Sequence, residues 1–292
     1  MSPRIDRQTI VVGIDDSPTA LNAARWAAYL ACAFHAPLLI ACAAKSPSHY
    51  RTPAKQLAAG VQPARAYAAA DETLQRTVEL VHTAHPDLAA DTVAMAGPPD
   101  RALVELSEHA RIVVVGGQTA FEARMTGPTT VRVMEHAHCP VAVWRGTNGR
   151  PIARERPVAV GVDGSAASAP AIAHGFEIAA ALAVSLVAVH AWPSRIASVG
   201  HHLDRAQNER VLLAECLAGW REEYPDVDVT EMPVPGLVDS VLTDVAEHAQ
   251  LLVVGSRGRG TAAAALLGST SRNLLHHATC PVLVCRATGR TR

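Results

Sequence analysis

Near the end of the chain, Gly255-Ser256-Arg257-Gly258 is followed by nine residues and then Gly268-Ser269-Thr270. The apolar run Leu251–Val254 just ahead reads as a buried strand. Glycine at a strand's carboxyl end lets the backbone turn sharply and approach a ligand closely. A small hydroxyl residue behind the last glycine opens a helix, and the first N–H groups of a helix attract an anion. Phosphate is the natural guest. The pattern differs from two common phosphate motifs. No Gly-Lys-Ser/Thr is present, which excludes a P-loop, and Gly258 and Gly260 lack the third glycine of a dinucleotide fingerprint.

Other residues carry weaker chemical signals. His136, His138 and Cys139, and again His276, His277 and Cys280, resemble metal ligands in type. Each group sits where a helix gives way to a strand, so the side chains scatter over different faces and no second cluster completes four ligands. Histidines at a helix end that favour the dipole are the better reading, and no metal site is assigned. Ser165 and Ser269 have no Gly-x-Ser-x-Gly elbow around them and are read as helix caps, so no catalytic residue is assigned. His190 reads as a buried, hydrogen-bonded strand residue, with Cys42 in its place in the first half. His201 and His202 read as solvated loop residues.

The elements that must position these residues occur twice. Ile10-Val11-Val12-Gly13-Ile14-Asp15 returns as Val158-Ala159-Val160-Gly161-Val162-Asp163, 148 positions later. Pro86, Gly97, Glu108 and Gly116 return 139 positions later as Pro225, Gly236, Glu247 and Gly255. Cys139-Pro140-Val141 returns 141 positions later as Cys280-Pro281-Val282. Copies of about 140 residues are domains and not solenoid repeats. They are expected over 1–147 and 155–288, with a turn-rich linker from Gly146 to Pro151. Each half alternates strand and helix through five strands. Strands apolar on successive residues are covered on both faces, which predicts α/β domains with a doubly wound parallel sheet between helical layers. Ligands bind such sheets outside the strand carboxyl ends, where Asp15, Asp163 and both glycine loops fall.

Composition narrows the function classes. The chain has 292 residues, 49% hydrophobic but only 4% aromatic, so its cores rest on Ala, Val and Leu. A formal charge of −1 offers no long-range pull toward nucleic acid or an anionic membrane. Six cysteines without a Cys-x-x-Cys pair point to a reducing, cytoplasmic compartment. Met1–Asp6 carries no apolar signal run, and no apolar stretch is long enough to span a bilayer.

The ordered set Val160-Gly161-Val162-Asp163-Gly164-Ser165, Val189-His190-Ala191-Trp192, the glycine loop and Cys280-Pro281-Val282-Leu283-Val284 resembles the universal stress protein family in its tandem form. The resemblance covers roughly Gln8 to Arg145 and Glu155 to Arg286. It implies an adenine nucleotide alpha hydrolase-like, three-layer α/β/α fold and ATP, with or without Mg, as ligand. In the second half, Asp163 matches the aspartate that contacts the nucleoside, and Ala191 the residue whose backbone reads the adenine edge. Gly255, Gly258, Gly268, Ser269 and Thr270 match the segment that holds ribose and phosphates, with Gly161 beside them. A carboxylate repels a triphosphate, so Asp163 is expected to face sugar or base. Arg257 and Arg259 either lean on phosphate oxygens or stay solvated.

The first half keeps Gly13, Asp15, Ala43, Gly116 and Gly127 but departs elsewhere. Thr119 stands where Gly258 does, and Pro128 removes a hydroxyl and a backbone donor opposite Ser269. ATP is therefore expected chiefly in the second half. In this family the fifth strands of two domains pair, which implies an intrachain pseudo-dimer here, with a homodimer as a further step. The expectation is a nucleotide-dependent stress-response regulator. The alternatives are a slow ATP-hydrolysing or adenylating enzyme of the same fold class, or a scaffold that binds no nucleotide.

Overall fold

The computed structural model describes residues 6–44, 63–117, 127–145, 153–193, 199–258 and 267–286. The chain divides into two compact units. The first contains β1 (Ile10–Ile14), α1 (Pro18–Ala33), β2 (Leu38–Ala43), α2 (Pro63–Ala84), β3 (Ala90–Met95), α3 (Pro99–Leu106), β4 (Ile112–Gly116), α4 (Pro128–His136) and β5 (Val141–Trp144). The second contains β6 (Val158–Gly161), α5 (Ala169–Leu182), β7 (Leu186–Trp192), α6 (Val199–Glu223), β8 (Val229–Pro235), α7 (Val238–Ala246), β9 (Leu251–Gly255), α8 (Ser269–His277) and β10 (Val282–Cys285).

Within each unit the five strands are parallel. Their order is β3-β2-β1-β4-β5 in the first and β8-β7-β6-β9-β10 in the second. The order reverses between β1 and β4, and between β6 and β9, and a crevice opens at such a switch because the crossovers leave in opposite directions. Asp15 and Gly116 flank one switch, Asp163 and Gly255 the other. The central strands read apolar on every residue because helices cover both faces: Ile10, Val11 and Val12, like Val158, Ala159 and Val160, are fully buried.

Helix starts differ between the halves. Ser17 caps α1 as expected, its side chain accepting from Ala20 N at 3.2 Å, with Pro18 in the first helical position. Ser165 does not cap its helix. The second half has a longer turn after β6, α5 starts at Ala169, and the Ser165 hydroxyl goes to Asp163 instead. Ser269 is the first residue of α8 behind an N-cap Gly268, so it too makes no cap. His201 and His202 belong to α6, which begins at Val199, and not to a loop. The linker from Gly146 to Pro151 lies outside the described residues.

Three of the few rings form a cluster in the second unit. Phe176 on α5 packs against Trp220 and Tyr224 on α6, with centroids 6.4 and 5.9 Å away. The repeat places Ala28, Val81 and His85 at these positions in the first unit. Phe176 is fully buried. Phe176→Ala removes the centre of this cluster and is expected to destabilise the second unit by about 3–5 kcal/mol, read as a lower midpoint in urea unfolding.

Candidate functional site

The second switch point is built around Asp163, the second residue past β6. Its Oδ1 accepts from Ser165 N at 2.9 Å and Ser165 Oγ at 2.6 Å. This local loop holds the carboxylate in one orientation. Its Oδ2 is buried and has no hydrogen-bond partner among the described residues. Gly258 stands over that oxygen, since a Cβ on it would sit 2.9 Å from Asp163 Oδ2. Any larger residue there would fill the space in front of the carboxylate.

Gly255, at the end of β9, is needed for a different reason. A Cβ there would meet the Ala167 carbonyl at 2.9 Å and the Arg257 carbonyl at 3.0 Å, both backbone atoms that cannot swing aside. The loop then closes on itself. Ser256 N donates to Cys285 O at 2.7 Å, and Gly268 N to Ser256 O at 2.8 Å. The Ser271 hydroxyl donates to Gly255 O at 2.8 Å. These bonds draw the start of α8 to the end of β9. Gly268 has φ −67° and ψ 160°, and no side chain caps the helix among the described residues. The N–H groups of Ser269, Thr270 and Ser271 head a nine-residue helix at the site, which is the geometry that receives an anion.

Gly161 and Gly13 each serve the packing of the sheet. The empty side of Gly13 is filled by Leu103 of α3, whose Cδ1 would lie 2.7 Å from a Cβ. That of Gly161 is filled by Val254 and Leu242. These glycines let helices and neighbouring strands pack against the sheet. Arg257 is exposed, Arg259 lies outside the described residues, and Ala191 lies in β7, registered with Val234 of β8.

The first switch point keeps part of this arrangement. Asp15 Oδ1 accepts from Ser17 N at 3.0 Å, but Asp15 is exposed. Neighbouring Asp16 ties the β1–α1 turn to α2, accepting from Thr73 Oγ1 at 2.7 Å and Arg76 at 3.0 Å. Gly116 admits α1, as its Cβ would lie 3.2 Å from Ala20 N. Thr130 reaches Gly116 O at 3.3 Å, longer than the matching Ser271 bond. Behind Gly127, Pro128 opens α4 and supplies no N–H. Thr119 lies outside the described residues.

Sequence reasoning missed Glu209 on α6, whose Oε2 lies 2.8 Å from His190 Nε2. Nothing in its surroundings on the helix sets it apart from other surface glutamates. The histidines considered as metal ligands stay apart: His136 Nδ1 engages the Arg132 carbonyl at 3.0 Å, and the described residues contain no group of three or more metal-ligating side chains.

The sequence profile of the universal stress protein family matches residues 6–145 and again 155–286. The chain belongs to the universal stress protein family. A universal stress protein of Mycobacterium tuberculosis is 37% identical over 287 residues, 95% of this chain and 96% of that one. The crystal structure of a universal stress protein from Archaeoglobus fulgidus matches with a TM-score of 0.68 at 17% identity, covering 95% of this chain and 96% of that one, and shows the shared fold. A smaller universal stress protein, solved in complex with cAMP, is 27% identical over 47% of this chain and 95% of its own, with a TM-score of 0.36. This stress protein thus has two tandem domains of one family, and among its described residues no helix is long and apolar enough to cross a membrane.

All six cysteines are free thiols. Burial pushes Cys139 and Cys280 up to about 12, and it pushes Cys285 up as well. An unfolded thiol ionises near its ordinary value of 9.0, whereas buried Cys280 keeps its proton to about 12. The folded state then binds more protons, so stability falls as pH rises through that window. Cys280→Ala is expected to remove one thiol from this dependence, reducing the slope of stability against pH by about 1.4 kcal/mol per unit in alkaline denaturation curves.

Proposed function

We propose that the second domain binds an adenine nucleotide, with ATP as the ligand that fits its parts, and that the chain acts as a nucleotide-dependent regulator in the stress response. The observation that carries this reading is the buried, unpartnered Oδ2 of Asp163 beneath Gly258. A buried acceptor without a donor is costly, and a ligand hydroxyl or amino group relieves it. A triphosphate offers no such donor and is repelled by the carboxylate. Asp163 therefore takes the nucleoside, and the phosphates run toward Gly268, Ser269 and Thr270 at the start of α8, with Gly255 and Gly258 leaving the backbone room. Arg257 is exposed beside that path and free to meet a phosphate oxygen. Ala191 borders the adenine. Magnesium would arrive with the phosphates.

The first domain is the weaker site. Its aspartate is exposed and its α4 begins with a proline. The free thiols suit a reducing, cytoplasmic setting.

Calorimetry and thermal melting with ATP test the reading. ATP at a thousand times its dissociation constant is expected to stabilise the binding domain by about 4 kcal/mol. Gly258→Glu is expected to abolish this response and Asp163→Ala to weaken it, while Thr119→Glu leaves most of it. Equal losses from Gly258→Glu and Thr119→Glu would refute the asymmetry. Phosphate release that Asp163→Ala abolishes would mark an enzyme instead. Absence of both a melting shift and co-purified adenine nucleotide would mark a scaffold.

A further inference from the structure

In an extended strand the N–H and C=O of one residue point to the same edge, and successive residues alternate edges. Val189 O accepts from Val162 N at 2.8 Å, so Val189 faces β6, and so does Ala191 two residues on. Trp192 faces the other way, its carbonyl taking Gly236 N at 2.9 Å. A regular parallel ladder would next give the Val162 carbonyl to Ala191 N–H. An imidazole takes it instead. His190 Nδ1 lies 2.6 Å from Val162 O, and the β6/β7 register stops at Gly161↔Val189. Ala191 N–H is left facing the space beyond β6, on the side of Asp163.

His190 is held for this task. It is 2% exposed and stacks on Trp192 with centroids 5.8 Å apart. A carbonyl only accepts, so Nδ1 carries a hydrogen. Nε2 lies 2.8 Å from Glu209 Oε2, and one proton lies between them. Arg205 Nε stands 3.6 Å from the other Glu209 oxygen. The first domain has none of these groups. The repeat puts Cys42, Ala70 and Ala66 at the positions of His190, Glu209 and Arg205. There the ladder runs one pair further, to Ile14↔Cys42, and closing that parallel pair uses the Ala43 N–H.

We infer that His190, oriented by Glu209, is a positioning residue that withdraws the Val162 carbonyl from the ladder and so presents the Ala191 N–H to the adenine edge, a device the second domain has and the first lacks. The inference rests on the adenine-nucleotide reading for its ligand but not for its geometry. The same bond fixes the peptide between Val162 and Asp163, and with it the direction in which the Asp163 side chain leaves the backbone.

Amide hydrogen exchange by NMR on the full chain without ligand tests the geometry, and ATP calorimetry tests the consequence. Ala191 N–H is expected to exchange at least about tenfold faster than Ala43 N–H, and to gain protection in His190→Cys, where the ladder can close. The same variant is expected to bind ATP about tenfold more weakly. His190→Asn, whose amide can still donate to Val162 O, recovers most of that affinity. Glu209→Ala is expected to weaken binding and to make the His190 Nδ1–H signal exchange faster. A purely structural histidine would lower the melting temperature without moving Ala191 exchange. Unchanged Ala191 exchange in His190→Cys, or ATP affinity equal to that of the parent, overturns the inference. If the parent chain binds no ATP while Ala191 exchange responds as stated, the nucleotide reading falls and the ladder device stands.

Discussion

The structure depends on how one carboxylate divides its hydrogen bonds. Asp163 spends one oxygen on Ser165 and leaves the other buried without a donor. An unsatisfied buried acceptor costs about 1–3 kcal/mol, so the rest of the domain must hold it in place. The parallel sheet does so. β6 ends two residues before Asp163, with β7 on one side of it and β9, across the switch point, on the other, and Gly258 caps the oxygen without filling the space before it. In the proposed complex a ligand donor at that point would recover the cost and so link fold stability to ligand occupancy.

The two domains show what duplication preserves and what it releases. Both keep strand order, the aspartate after the first strand and the glycine at the end of the fourth. The shared glycines serve packing: Gly13 and Gly161 leave room for side chains of neighbouring elements, and Gly116 leaves room for α1. The features that differ are the ones a ligand would notice. Asp15 is exposed where Asp163 is half-buried, Pro128 stands where Ser269 offers an amide, and the turn after β1 is tied to α2 through Asp16. A shared scaffold thus carries two switch points with different side chains and helix starts.

Much of this was legible in the sequence, for a physical reason. The repeat, the continuous apolar strands and the turn residues act over a few neighbours, so the five-stranded parallel domains and several strand limits, such as Ile10–Ile14 and Val141–Trp144, follow from local pattern. The glycine loop was equally visible, because a close backbone approach excludes any Cβ wherever it occurs. The reading of Ser165 and Ser269 as caps failed for a local reason as well. A short polar side chain near a helix start has several acceptors within reach, and the turn length decides among them. In the second domain that turn is longer, so α5 begins at Ala169.

The sequence by itself determined the fold, the duplication and the position of the glycine loop at a strand's carboxyl end, since each follows from periodicity, spacing and the backbone freedom of glycine. Only the tertiary structure decided which atoms there stay unpaired. The orphaned Asp163 oxygen, the packing role of Gly13 and Gly161, and the Val162–His190–Glu209 chain join residues on separate elements. Such partners depend on how a helix lies across a strand end, and that geometry leaves no periodic mark on the residues that satisfy it.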